Sequence, residues 1–179
     1  MPLLLGLLQL AGCSRRAAGP GGNVLFGNPV DSDASDDVIV DHGSYLEDRN
    51  PRSQAPRWFA WRVSERAGPP AGSFPVSEEL EDAERQAAGR GALYVIAGAV
   101  PGTGTVWRVV AAPIDKGQIK AFALIVPPDA PRPIHWRDLV RKIDEVERLT
   151  GYDFFPALPR DVQARLESAR NDPAEILDR

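Results

Sequence analysis

The sequence has one cysteine, Cys13, and two histidines, His42 and His135, in 179 residues. One thiol cannot build an internal disulfide framework. One Cys with two His cannot build a Cys-rich zinc site or a multi-histidine metal centre. Basic residues are also short: 21 Lys and Arg stand against 25 Asp and Glu, a net charge of -4. A chain-wide cationic field for nucleic acid is therefore excluded, and only a local basic patch stays open. The apolar run at residues 3–10 is far too short to span a bilayer as a mature helix. What is present is ordinary for a folded protein. Hydrophobic residues are 43% and charged residues 26%, which argues against disorder, and the length supports one domain with a real core.

The run at residues 3–10 fits the apolar centre of a secretory signal peptide. It leads into Leu10-Ala11-Gly12-Cys13, which resembles the lipobox of bacterial lipoproteins. In that pattern the small residues fit the peptidase cleft, and the Cys thiol receives the diacylglycerol before cleavage. The chain's only Cys stands where a thiol would be used. No Lys or Arg precedes the run, although a signal peptide's first segment carries one. The expectation is a signal peptide over 1–12, lipidation at Cys13 and a flexible Gly/Pro-rich tether over 13–22. That places the domain outside the cytoplasm, lipid-anchored to a bacterial membrane on its periplasmic or cell-surface side.

Asp31, Asp33, Asp36 and Asp37 form an acidic cluster. Counted from Asp31, the sixth and twelfth positions of a calcium-binding EF-hand loop hold Asp36 and His42 instead of Gly and Glu. The cluster therefore reads as a solvated loop. Val38-Ile39-Val40 and the alternating Trp58–Val63 read as strands. Ala67–Ser73 is a Gly/Pro-rich break, and Glu78–Ala88 is a mostly exposed helix. Leu93–Val100, Val106–Ile114 and Ile119–Val126 read as an antiparallel meander. Its turns are Gly102-Thr103-Gly104, which lacks the Lys and the following helix of a phosphate loop, and Asp115-Lys116-Gly117-Gln118. Pro127, Pro128, Pro131 and Pro133 end the third strand. A helix spans Ile143–Leu149 and stops at Gly151. Phe154-Phe155-Pro156 is an apolar anchor. Asp161 is expected to cap a last helix to about Ser168, with a frayed tail over 169–179.

The stretch Ile143–Leu158, IDEVERLTGYDFFPAL, closely resembles the C-terminal signature of the DNA/RNA non-specific endonucleases, the ββα-metal nucleases related to mitochondrial endonuclease G. Other pieces are similar to that family in the same order. Leu25-Phe26-Gly27-Asn28-Pro29 resembles its opening segment, and Pro56–Trp61 its first core strand. Leu93–Gly98 resembles the strand after its active-site helix, and Trp107–Val110 and Lys120–Phe122 the two strands after that. Together they cover about Asn23 to Ser168.

The resemblance implies an α+β fold: the antiparallel sheet of a ββα-metal nuclease-like core with flanking helices. It implies Mg2+-dependent hydrolysis of phosphodiesters in DNA and RNA. In the family an Asp-Arg-Gly-His motif supplies the general base, and an Asn on the next helix holds the magnesium. Both would fall within Ser64–Ala92, and that interval contains no His and no Asn. The chain thus looks internally truncated, with one side of the sheet expected to lie uncovered and to promote self-association. Leu80-Glu81 and Arg85 match the family's active-site helix, where Glu81 would face the metal's waters and Arg85 the phosphate. The same spacing also describes an ordinary surface ion pair. His42 and His135 lie outside the interval and are not carried over as catalytic. Two functions stay open: an endonuclease, whose catalytic set is incomplete in this chain, and a non-enzymatic product, either a degenerate lipoprotein or an interaction remnant. The expectation for this chain is no bound magnesium, weak or absent nucleic-acid binding, and membrane association through the lipid.

Overall fold

The structure is a computed structural model that describes residues 22–33, 35–64, 68–114 and 118–178. The expected signal peptide, Cys13 and most of the tether lie outside the described residues, as do Asp115, Lys116 and Gly117. Among the described residues, seven strands form one antiparallel sheet in strict chain order. They are β1 (Val38–Asp41), β2 (Tyr45–Arg49), β3 (Pro56–Arg62), β4 (Tyr94–Ala99), β5 (Val106–Pro113), β6 (Ile119–Val126) and β7 (Val140–Arg141). Helix α1 (Glu78–Ala88) connects β3 to β4, and a 3-10 helix (Trp136–Leu139) precedes β7. Helices α2 (Ile143–Thr150), α3 (Arg160–Ser168) and α4 (Ala174–Leu177) follow the sheet. The fold class is α+β.

Side chains alternate across a strand, so each central strand feeds two cores. On one face Phe59, Trp61, Val95, Val110 and Phe122 pack with Leu80 and Ala87 of α1, Trp136, and Ile176 and Leu177 of α4. On the other, Trp58, Ile96, Trp107 and Val109 pack with Ile143 and Val146 of α2, Phe154, Phe155 and Leu166 of α3. Strands β4 and β5 are buried almost end to end, as strands covered on both sides must be. This corrects the expectation of an uncovered side. Among the described residues the exposed large hydrophobics are Val38, Ile39 and Leu149, two of them on the edge strand β1.

Local chemistry accounts for most boundaries. The Ser77 side chain accepts from the Leu80 N–H at 3.3 Å, and Glu78, Glu79 and Glu81 lie against the positive end of the α1 dipole. Its buried residues Leu80, Glu84 and Ala87 recur at one face. Gly151 ends α2 at φ 80°, a conformation that costs most side chains energy. Gly102 and Gly104 take positive φ in the β4–β5 turn, as that turn requires.

Three further expectations need correcting. Asp161 is not the cap of α3: Pro159 occupies that position and Asp161 lies in the first turn, 3.5 Å from Arg165. The stretch after Ser168 is not a frayed tail, because α4 buries Ile176 and Leu177, and Arg90 donates to the Leu177 carbonyl. Strand β2 has no counterpart in the sequence reading. Its centre is Glu47-Asp48, two buried charges that hide the usual apolar alternation.

Candidate functional site

Helix α1 carries the two residues that the resemblance singles out. Glu81 is half-buried on the helix, and its backbone N–H donates to Ser77. Arg85 does not pair with Glu81; it forms an ion pair with Asp82 instead. The charge that α1 turns toward the sheet is Glu84, which sequence reading missed. Glu84 Oε2 accepts from Arg108 Nη2 of β5 at 2.6 Å, and both side chains are 2% exposed or less. The Arg108 guanidinium also lies 5.2 Å from the centre of the Trp61 ring. Burial pushes the Glu84 carboxyl up, and Arg108 offsets this only in part. Glu84 Oε1, Arg108 Nε and Arg108 Nη1 make no hydrogen bond among the described residues. The signal that could have revealed the pair is Arg108 inside an otherwise apolar strand, since a charge there needs a partner.

The magnesium implied by the resemblance does not fit α1. The chain has no Asn within Ser64–Ala92, and on α1 Glu84 is committed to Arg108, Asp82 to Arg85 and Glu79 to Arg137, which leaves Glu78 and Glu81. Among the described residues, carboxylates converge elsewhere, at Asp31, Asp36 and Asp37 and at Asp144, Glu147 and Glu167.

The two histidines differ in setting. His42 Nε2 lies 2.9 Å from Glu47 Oε2, and its ring stacks on Tyr45 with centroids 4.3 Å apart. Glu47 is also gripped by Arg49, whose hydrogen bond does most to hold the Glu47 carboxyl below its usual range. His135 instead lines a cleft of about 250 Å³ with Glu79, Trp136, Arg137 and Asp138. There Arg137 pairs with Glu79 at 2.6 Å and stacks 4.3 Å above the Trp136 ring. The fold thus brings His135 to the N-terminal end of α1, a meeting that chain order alone does not reveal.

The acidic cluster before β1 is not simply a solvated loop. Arg57 of β3 reaches Asp36 at 3.1 Å, Asp37 at 3.2 Å and the buried Asp48 of β2 at 2.7 Å. Burial works against the Arg57 charge, but the hydrogen bonds it donates to Asp48 and Asp36 override it and its pKa rises. Burial also raises Asp48 and Asp37. A cation is already built into this cluster, and its effect is to fasten the loop to the sheet.

The C-terminal signature forms a different acidic grouping. Glu147 Oε1 of α2 accepts from the Phe154 N–H at 2.9 Å, which holds the turn that inserts Phe154 and Phe155 into the core. Burial raises the Glu147 carboxyl. Glu167 of α3 approaches the same place, and burial among carboxylates pushes it up to about 8. No protein-family model matches the chain, and no curated protein matches it in sequence.

Proposed function

We propose that the chain is a non-hydrolytic relative of the DNA/RNA non-specific endonucleases, held outside the cytoplasm by a lipid on Cys13 and acting as an interaction module. The observation that carries this reading is the state of α1. Its inward charge is spent on Arg108, and Arg85 is spent on Asp82. Phosphodiester hydrolysis by this chemistry needs a base at the attacking water and a metal on the phosphate. Ser64–Ala92 offers neither a His nor an Asn, and loss of a general base alone removes about 10²–10⁴ in rate. The net charge of -4 adds a penalty for any polyanionic substrate.

One observation favours the enzyme reading: His135 shares a cleft with Glu79 and Arg137 at the start of α1. The test is digestion of plasmid and RNA with magnesium or manganese by wild type, Glu81→Ala and His135→Ala, each checked for folding by circular dichroism. The expected result is no cleavage above background. Robust cleavage that Glu81→Ala or His135→Ala abolishes overturns the proposal and assigns the base. His135 is the first histidine to test, because His42 is held by Glu47 and Tyr45. The anchor is tested by fatty-acid labelling in a bacterium: wild type should label and Cys13→Ser should not. Equal labelling of the two removes the lipid from the proposal.

A further inference from the structure

The turn joining α2 to α3 gathers negative charge without the internal cation that Arg57 supplies to the other acidic cluster. Asp144 and Glu147 stand three residues apart on α2, which places them on one helical face. Asp153 follows the helix, and α3 brings Glu167 from the other side. The charged groups acting most strongly on Glu167 are Glu147, Asp153 and Asp144, all of the same sign. Glu167 is only 6% exposed, and its Oε1 makes no hydrogen bond among the described residues. Gln163 Nε2 donates to Asp153 and, at 2.8 Å, to the Phe154 carbonyl. A Gln163 hydrogen bond also acts on the Glu167 carboxyl, but burial and the like charges outweigh it, and Oε1 is still left without a partner among the described residues.

A shared proton between Glu147 and Glu167 would settle those two carboxylates, and Gln163 donates to Asp153, but Asp144 has no cationic partner among the described residues. One oxygen from each of Asp144, Glu147 and Glu167 lies within 4.8 Å of the others. Oxygens bound to one calcium ion at about 2.3–2.6 Å can be up to about 5 Å apart. We propose that Asp144, Glu147 and Glu167 form a binding site for one divalent cation, with calcium as the ion. The donors are hard, anionic oxygens on two helices and impose no tight octahedron, which suits calcium better than magnesium. They offer no nitrogen or sulfur for zinc. The ion ties α2 to α3 and fixes the turn that carries Phe154 and Phe155. This role is independent of whether the chain cuts nucleic acid.

The experiment is thermal unfolding of the whole protein after chelation, titrated with calcium chloride. A Kd of about 0.1–1 mM is expected for a site of this charge. Calcium at tenfold excess over that value should raise Tm by about 3–5 °C. Glu167→Gln should abolish the shift, and in chelator it should melt no lower than wild type because it removes a buried charge from among like charges. Asp144→Asn, at a partly exposed position, should weaken the shift and serves as the second test if Glu167→Gln does not fold. Asp36→Asn, in the other cluster, should keep the full response. Absence of a calcium shift in wild type overturns the site, as does a shift that Glu167→Gln or Asp144→Asn leaves intact. An equal shift with magnesium overturns the choice of ion.

Discussion

Arg108 is the largest charged side chain buried in the core, and among the described residues its one ion-pair partner is Glu84. Breaking such a pair costs more than replacing both members, because the survivor is left charged in a low-dielectric site. Glu84→Gln should therefore destabilise the protein by about 3–5 kcal/mol in urea unfolding. Glu84→Leu combined with Arg108→Met should recover most of that loss. A double variant as unstable as the single one would show that the charges, and not the volume, hold α1 in place. Glu47 supplies a pH prediction. Its folded pKa is held below the ordinary value of 4.5, first by the hydrogen bond from Arg49 and then by His42. The stabilisation it provides is complete above that value and lost as pH falls through the folded pKa. Wild type should lose stability on acidification below about pH 4.5, and Glu47→Gln should flatten that part of the profile. Urea midpoints across the acid range measure it; parallel profiles would count against it.

At the scale of elements, β4 is tightest at Gly98. A Cβ there would lie 2.6 Å from the Arg57 carbonyl oxygen and closer still to the Trp107 ring. Neither neighbour is free to move, since one is backbone and Trp107 is fully buried. Gly98→Ala should cost about 1–3 kcal/mol, the usual penalty of overpacking, and should perturb the near-ultraviolet signal of Trp107. An unchanged midpoint would mean that the strands separate more easily than their register suggests. Elements like β4, β5 and β6 were legible because long β-branched and aromatic runs bounded by Gly and Pro have few other solutions. Helix α1 was legible through its composition and the Ser77 cap. Strand β2 was not, because Glu47 and Asp48 are buried through ion pairs with residues that pattern reading treats as surface. Helix α4 was missed because four residues carry no period, and its fixing contact, from Arg90, comes from 87 residues away in the chain. The site was legible in part. Glu81 and Arg85 can be read in the sequence as two charges at helical spacing, but that Arg85 takes Asp82 as its partner is decided in space. Glu84 and His135 acquire meaning only once β5 and the 3-10 helix are placed against α1.

The whole molecule carries apolar cores on both faces of one sheet, and strands β3, β4, β5 and β6 each feed both of them. Such sharing makes it hard to melt one layer while the other survives. Thermal unfolding should show a single transition, with far-ultraviolet and tryptophan signals coincident, in a monodisperse monomer. Separate transitions for the two signals would mean that the layers are energetically distinct. The sheet's order has another consequence, for the way the chain reaches this state. Every strand pairs with its sequence neighbour, so each new strand finds its partner already in place as it leaves a ribosome or a membrane pore. Folding can proceed in the direction of emergence, with little searching among distant segments. The faces of the sheet are the exception. One waits for α2, Phe154, Phe155 and Leu166, and the other for Ile176 and Leu177, so the nascent protein has bare apolar surface for most of its emergence, and a chaperone would be needed during that interval.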